Sequence, residues 1–273
     1  MSKIALAILQ RGSKRYTAEG HDNAGLLIGD IRIENVTKSH RAFIKICQHD
    51  GQLQAELVAS AIGRFLGVSI PQPFVVAITQ EAKAPIDHPL PCLALGTVAV
   101  PGMSFARLGN FEELMGQLKD LGDIASYDQL IANIDRHLGQ LVYDGQTVWA
   151  IDHAQSFGGS HWPVMELPSP DIDIINWLLE RSSFGEHLAK NDIARFDLRK
   201  KAHQSFNRLP GKTGTILQGA GVARYMDETT LHDLYTWLEA RITHSVEQIC
   251  RKIGLPEMPC SSSSSASSPR SLS

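Results

Sequence analysis

Apolar positions in the first hundred residues alternate or form short blocks bounded by Gly, Pro and charged residues, which is the pattern of strands. Residues 4–9 (IALAIL) form the first block. Gly12 and Ser13 then read as a turn, and residues 15–18 as the strand returning from it. The mixed Gly, Asp, Asn and charged stretch at 19–40 predicts a loop with an irregular strand over 26–33. RAFIKIC (41–47) alternates like a half-buried strand. The period then changes. Leu53, Leu57, Val58, Ala61, Ile62 and Phe65 recur at helical spacing, so an amphipathic helix is predicted, ending at Gly67. A Pro-broken segment and a strand follow (68–78), then a Pro-rich loop (84–91) and the buried strand CLALGTVAV (92–100).

From about residue 103 the pattern is mostly helical. Helices are predicted over 111–122, 126–134, 171–181, 184–190, 192–206 and 229–253. Asp171 and Asp192 are the expected N-caps, and Thr229 or Thr230 starts the last helix. Short strands at 141–143 and 147–151 flank Asp144-Gly145, a hairpin signal. The outline is α+β: a β-rich lobe with one helix (1–100), then a mainly helical lobe (101–257). The Ser-rich stretch 258–273 has almost no apolar surface to offset ordering entropy and reads as a disordered tail.

At 273 residues and 43% hydrophobic, the chain can bury a core without metal or disulfide staples. Its net charge of −3 gives no reason to expect a nucleic-acid or anionic-membrane partner. The N-terminal apolar run is too short to span a bilayer. Cys47, Cys92, Cys250 and Cys260 form no CxxC pair. These features suit a cytoplasmic protein in a reducing compartment.

Two constellations carry the chemistry. Asn133-Ile134-Asp135-Arg136-His137-Leu138-Gly139-Gln140 is followed, across the hairpin, by Ile151-Asp152-His153, and 17 residues separate Asp135 from Asp152. Phosphoryl transfer needs two such carboxylates, one to orient the attacking hydroxyl and one to hold Mg²⁺ against nucleotide phosphates. The alternative is a surface Asp135-Arg136 pair and a turn-capping Asp152. Lys45 stands within an apolar strand, where an ammonium needs a partner, and Glu56 follows eleven residues later on the helix. A strand Lys paired with a helix Glu positions nucleotide phosphates in kinases. The alternative is an edge-strand Lys reaching solvent.

Several neighbours have less specific readings. His137 is expected to pack under its loop and bond a backbone carbonyl, and Arg136 to pair with a local carboxylate or contact substrate. His153 is expected to shape the metal loop, and Asn133 to orient the catalytic loop. Gly211-Lys212-Thr213 lacks the earlier Gly of a phosphate loop, since Phe206 stands there, and reads as a turn. The cluster of Arg195, Arg199, Lys200, Lys201 and His203 reads as a solvated helix face.

These pieces together resemble the HipA-like family of kinases, especially its small single-domain members. The chain is more distantly similar to lipid and eukaryotic protein kinases. The likeness rests on Arg11-Gly12-Ser13, on Lys45 in FIK, on AELVASAIGRFLGVSIPQP (55–73), on NIDRH (133–137) and on AIDHAQSF (150–157), in that order. It implies a two-lobed kinase-like fold, ATP and Mg²⁺ as cofactors, and a protein Ser/Thr hydroxyl as acceptor. Lys45 would contact the α/β-phosphates, with Glu56 holding it. Asp135 would be the catalytic aspartate and Asp152 the metal ligand. Gly12, Ser13 and Lys14 would lie near the phosphates, and backbone groups from Leu95 to Val98 would face adenine. A cognate regulator or antitoxin is an expected partner. At the position where the family has Asn as second metal ligand, this chain has Gln140. That departure, with a phosphate loop reduced to one Gly, leaves a nucleotide-binding pseudokinase as the alternative. A small-molecule or lipid kinase on the same scaffold is a third reading.

Overall fold

The computed structural model describes residues 3–18, 21–33, 36, 38–159, 162–163 and 165–256. The tail expected at 258–273 lies outside the described residues. Six strands build the first part: β1 (Ala5–Leu9), β2 (Lys14–Ala18), β3 (His21–Ile33), β4 (Ser39–Lys45), β5 (Pro73–Ile78) and β6 (Cys92–Val98). Their order is β1-β5-β6-β4-β3-β2, and β1 also pairs with β3, so five strands close into a barrel. Side-chain alternation fills its interior with Ala7, Leu9, Leu27, Ile31, Ala42, Ile44, Phe74, Val76 and Ile78. Gly96 takes an inward position where a Cβ would lie 2.4 Å from Val76 Cγ2, so the filled interior leaves it no side chain.

Two expectations for this region are corrected. The chain does not reverse at Gly12 and Ser13. β1 pairs with residues 31–33 of β3 and β2 with residues 21–28, both antiparallel, so β1 and β2 run the same way along β3. Gly12, at φ 92°, steps the chain sideways, and the antiparallel pairing of β2 with β3 runs as far as Ala18 and His21. Nor is 19–40 mainly loop, because β3 is a 13-residue strand. Pairing along both of its edges supplies what its weak apolar alternation does not.

Helix α1 (Asp50–Leu66) lies against the outside of the barrel, its Leu57, Val58 and Ile62 sharing a core with Val75 and Leu95. It stops at Gly67, as predicted, where φ of 93° suits a residue without Cβ. After β7 (Met103–Ser104) come α2 (Phe111–Gln117) and α3 (Asp120–Leu130), then β8 (Leu141–Tyr143) and β9 (Val148–Ala150). The three strands form a small second sheet. The described residues continue with α4 (Trp177–Glu180), α5 (Ser183–Ala189), α6 (Asp192–Phe206), α7 (Thr213–Ala220) and α8 (Glu228–Lys252). Buried α3 is the axis of this part, packed against α8, whose Arg241 donates to Leu130 O at 3.0 Å and to Gln129 O at 2.8 Å. Among the described residues, no helix is long and apolar enough to cross a membrane.

The helix boundaries differ from the periodicity in instructive ways. Residues 131–134 leave the helix, because Ala132 adopts φ 49° and the Asn133 amide turns back to Asp128 O at 3.0 Å. Residues 171–176 are not helical. The carbonyls of Asp171 and Ile172 are bonded by Gln248, and that of Ile172 also by Arg241. Asn176 therefore caps α4 in place of Asp171. Asn191 caps α6, with Asp192 as its first residue, and Asp227 caps α8 just before Thr229. The turn read at Gly211-Lys212-Thr213 lies between α6 and α7 and leads directly into α7. Glu239 accepts from the Gly211 amide with both carboxylate oxygens at 3.1 Å and from the Thr213 hydroxyl, so the chain's own anion occupies that helix start.

Candidate active site

β4 ends on Lys45, whose cross-strand partners are Leu26 and Leu95, on the barrel face that carries α1. Lys45 Nζ reaches Glu56 Oε1 at 3.0 Å and Asp152 Oδ1 at 2.6 Å. Glu56 is 2% exposed, and a carboxylate buried this deeply needs compensation. It has it, because its second oxygen accepts the His153 amide at 2.9 Å. Burial opposes ionisation of Glu56, yet Lys45 and His153 outweigh it and hold the carboxyl well below the usual carboxylate range. Burial likewise opposes the Lys45 ammonium, and Glu56 with Asp152 raises its pKa above the ordinary value. Two residues on, burial and the Glu56 charge push the Cys47 thiol up to about 12, so it stays protonated.

The second half of the site forms around Asp128, on α3. Its carboxylate takes a two-pronged contact from Arg136, with Nε and Nη2 each at 2.8 Å, and a third bond from Asn133 Nδ2 at 3.0 Å. Arg136 is buried, and its Nη1 donates to Ile151 O at 2.7 Å and Gln140 O at 3.3 Å. One guanidinium therefore ties the loop bearing Asp135 to the strand end bearing Asp152. Between them, the Ile151 amide donates to Gln140 O at 3.1 Å. Asn133 Oδ1 accepts the Asp135 amide at 3.3 Å, and Gln140 Nε2 donates to Asp135 Oδ2 at 3.1 Å. Asp135 itself is exposed.

Backbone strain gathers at the same place. Ala132, Asp152 and Phe157 have φ of 49°, 58° and 61°. Asp tolerates this region through its short polar side chain, while Ala and Phe do so only under tertiary constraint. The constraint is visible, since the Phe157 amide donates to Ile131 O at 2.7 Å and both side chains are buried.

Lys45, Glu56, Asp152, Asp135 and Gln140 thus belong to one bonded network. The other sequence candidates fall differently. Lys14 is exposed and pairs with Ile28, which pairs with Phe43, two positions before Lys45 on the same barrel face. Two strand spacings and two residues put its backbone ~12 Å from that of Lys45. Gly12 and Ser13 adjoin Gly29 at the step between β1 and β2, where Ser13 Oγ is buried without a hydrogen bond. They make no bond to the Lys45 cluster. The backbone from Leu95 to Val98 is not free to face a base. β6 is paired along both edges, and the Val98 and Ala99 amides are taken by Gln72 O and Arg41 O.

His137 is exposed, and its Nδ1 accepts from the Gly139 amide at 3.0 Å, so it caps a short turn instead of packing under the loop. His153 is buried, edge-on to Tyr127 at 5.6 Å. On α6, Arg195 is tied to Asp192 and Ile253 O, and Arg199 covers the Phe196 ring at 5.0 Å. Asp128 was not among the sequence candidates. The available signal was its position seven residues before Asp135, two helical turns upstream of a loop containing an arginine.

The residues present fit a divalent cation of the Mg²⁺ type. Among the described residues there is no cluster of three His, Cys, Asp or Glu, so no soft-metal cage forms. What the site offers is oxygen: Asp152, Asp135 and Gln140 Oε1, which is buried without a hydrogen-bond partner. Mg²⁺ takes one or two carboxylates and completes its shell with water and phosphate oxygens.

No family model matches the chain, and no curated protein matches it. Among solved structures it is similar to the Helicobacter pylori proinflammatory kinase CtkA, at 13% identity over 90% of this chain and 96% of that one, with a TM-score of 0.53. It also aligns with the Golgi casein kinase, at 16% identity over 91% of this chain and 72% of that one, with a TM-score of 0.38. The first likeness shows a protein kinase-like α+β fold.

Proposed function

We propose that this protein is an ATP- and Mg²⁺-dependent phosphotransferase of HipA-like type whose acceptor is a hydroxyl, most simply a protein Ser or Thr. The observation that carries the reading is the bonded line Glu56–Lys45–Asp152, joined through the Ile151–Gln140 backbone bond to Gln140 and Asp135. The barrel with α1, up to residue 100, is the nucleotide-binding lobe, and residues 101–257 are the helical lobe.

In this reading Lys45, anchored by buried Glu56, binds the α/β-phosphates. Asp152 and Gln140 Oε1 would hold Mg²⁺, which when bound would neutralise charge on the phosphates. Asp135, steered by Asn133 and Gln140, accepts a hydrogen bond from the acceptor hydroxyl and aligns its oxygen with the γ-phosphorus. The new O–P bond forms as the bond to the β,γ-bridging oxygen breaks. ADP leaves, and the hydroxyl proton passes to Asp135. Catalysis is positioning and charge stabilisation.

Incubation with labelled ATP and Mg²⁺ tests the proposal. Wild type is expected to label protein, and Asp135→Ala to lose ~10²–10⁴-fold in rate while still binding ATP, the usual scale for a positioned acid–base group. ATP binding by both with transfer by neither would instead support the pseudokinase reading that Gln140 motivates. Label on a metabolite, with no protein labelled, would support a small-molecule kinase.

Gln140→Asn distinguishes a fitted residue from a handicap. The shorter amide cannot keep the 3.1 Å bond to Asp135 from the same backbone. Transfer is therefore expected to fall by ~10-fold or more, the scale of one hydrogen bond to a charged group. A faster Asn variant would show that the natural residue limits the enzyme.

A further inference from the structure

We propose that Gly51 is a positioning residue: it sets how deeply α1 seats against the segment following Asp152, and so where Glu56 holds Lys45. This rests on the phosphotransferase reading above. Gly51 is buried in the first turn of α1. A Cβ there would stand 2.1 Å from the Trp162 carbonyl oxygen and 2.9 Å from Pro163 Cδ, closer than Cβ atoms come to other heavy atoms. Helix and segment therefore meet backbone to backbone. Helices generally favour Ala over Gly, and this contact excludes the Ala side chain at Gly51.

The surface under α1 is itself anchored. The Trp162 ring is buried and packs on Phe157 at 5.2 Å, and Phe157 packs on Trp237 at 6.0 Å. Trp237 Nε1 donates to Pro168 O at 2.6 Å. The Phe157 amide bonds Ile131 O, at the start of the loop bearing Asp135. Glu56 lies five residues along α1 from Gly51, ~7.5 Å at the helical rise. It holds both Lys45 Nζ and the His153 amide, so a displaced helix moves the ammonium relative to Asp152. A methyl at Gly51 demands a displacement of ~1 Å, and misplacement on that scale costs up to ~10²-fold in a positioned site.

The test uses the full chain and three variants: Gly51→Ala, Trp162→Ala, and Gly219→Ala as a control in α7, where a Cβ meets nothing within 4 Å. Calorimetry with Mg²⁺ and ATP is expected to show affinity reduced ~10-fold or more in Gly51→Ala and in Trp162→Ala, and unchanged in Gly219→Ala. The double variant of Gly51 and Trp162 is expected to lose less than the sum of the singles, because a segment without the Trp162 ring to anchor it on Phe157 can yield to the added methyl. Hydrogen exchange of α1 amides is expected to quicken in both single variants and not in the control. Wild-type affinity in Gly51→Ala, or strict additivity in the double, overturns the proposal. If Gly51→Ala does not fold, Trp162→Ala decides, and unchanged affinity there overturns it. If the wild type binds no nucleotide, the phosphotransferase reading fails by itself. The exchange data then decide the contact, with unchanged α1 exchange overturning it.

Discussion

Asp152→Asn is expected to lower Mg²⁺-dependent phosphoryl transfer by ~10³-fold or more, comparable to removing a preorganised charge-stabilising group from an active site. The carboxylate is the anion nearest Lys45, at 2.6 Å against 3.0 Å for Glu56, and its side chain is 42% exposed, within reach of a ligand. Asn keeps the shape and tolerates φ of 58°, so the variant removes charge with little added strain. Asp152→Ala adds that strain and is expected to lose a further ~1–2 kcal/mol of stability. Initial rates at saturating Mg²⁺, Mn²⁺ binding by electron paramagnetic resonance, and thermal unfolding of both variants separate the two effects. An Asn variant that transfers phosphate at the wild-type rate would remove Asp152 from the metal site.

Asp128→Ala is expected to cost ~3–5 kcal/mol, because it leaves the Arg136 guanidinium buried without its counter-ion. Arg136 is 3% exposed, and no water shell can replace the lost oxygens without opening the loop. Chemical denaturation measures the loss directly. Pairing Asp128→Leu with Arg136→Met removes both charges and is expected to recover much of the stability. It is not expected to recover transfer, because the Arg136 bonds to Ile151 O and Gln140 O go with it. If the double variant regains full activity, the arginine serves only to neutralise Asp128. An Asp128→Ala protein as stable as wild type would mean the ion pair adds nothing to folding.

Much of the site was legible because its parts are local patterns. A Lys inside an apolar strand and a Glu on the next helix each break the apolar rule of their element, and breaking it needs a partner. They found each other. Asp135 and Asp152 were legible because a hairpin lies between them. Gly67 was legible because a helix that ends on Gly uses its free φ. What failed were features set by distant chain. The step at Gly12 looks like any Gly-Ser turn until β3 is seen pairing with both β1 and β2. The apolar run after residue 171 has helical spacing, but Gln248 and Arg241 claim its carbonyls from α8. Leu95 and Val98 looked available because a strand's sequence does not say how many neighbours it has.

The sequence by itself determined most of the elements, the α+β character and which of the candidate side chains needed a partner, because burial and period act over a few residues. Tertiary structure decided the barrel closure, the choice of Asp128 as counter-ion for Arg136, and the backbone contact at Gly51. Each of those depends on groups 8 to 111 residues apart in the chain, from Asp128–Arg136 to Gly51–Trp162. No local preference encodes them. They arise when closing the core leaves a geometry that pairs the Arg136 and Asp128 charges and bonds the carbonyls around them.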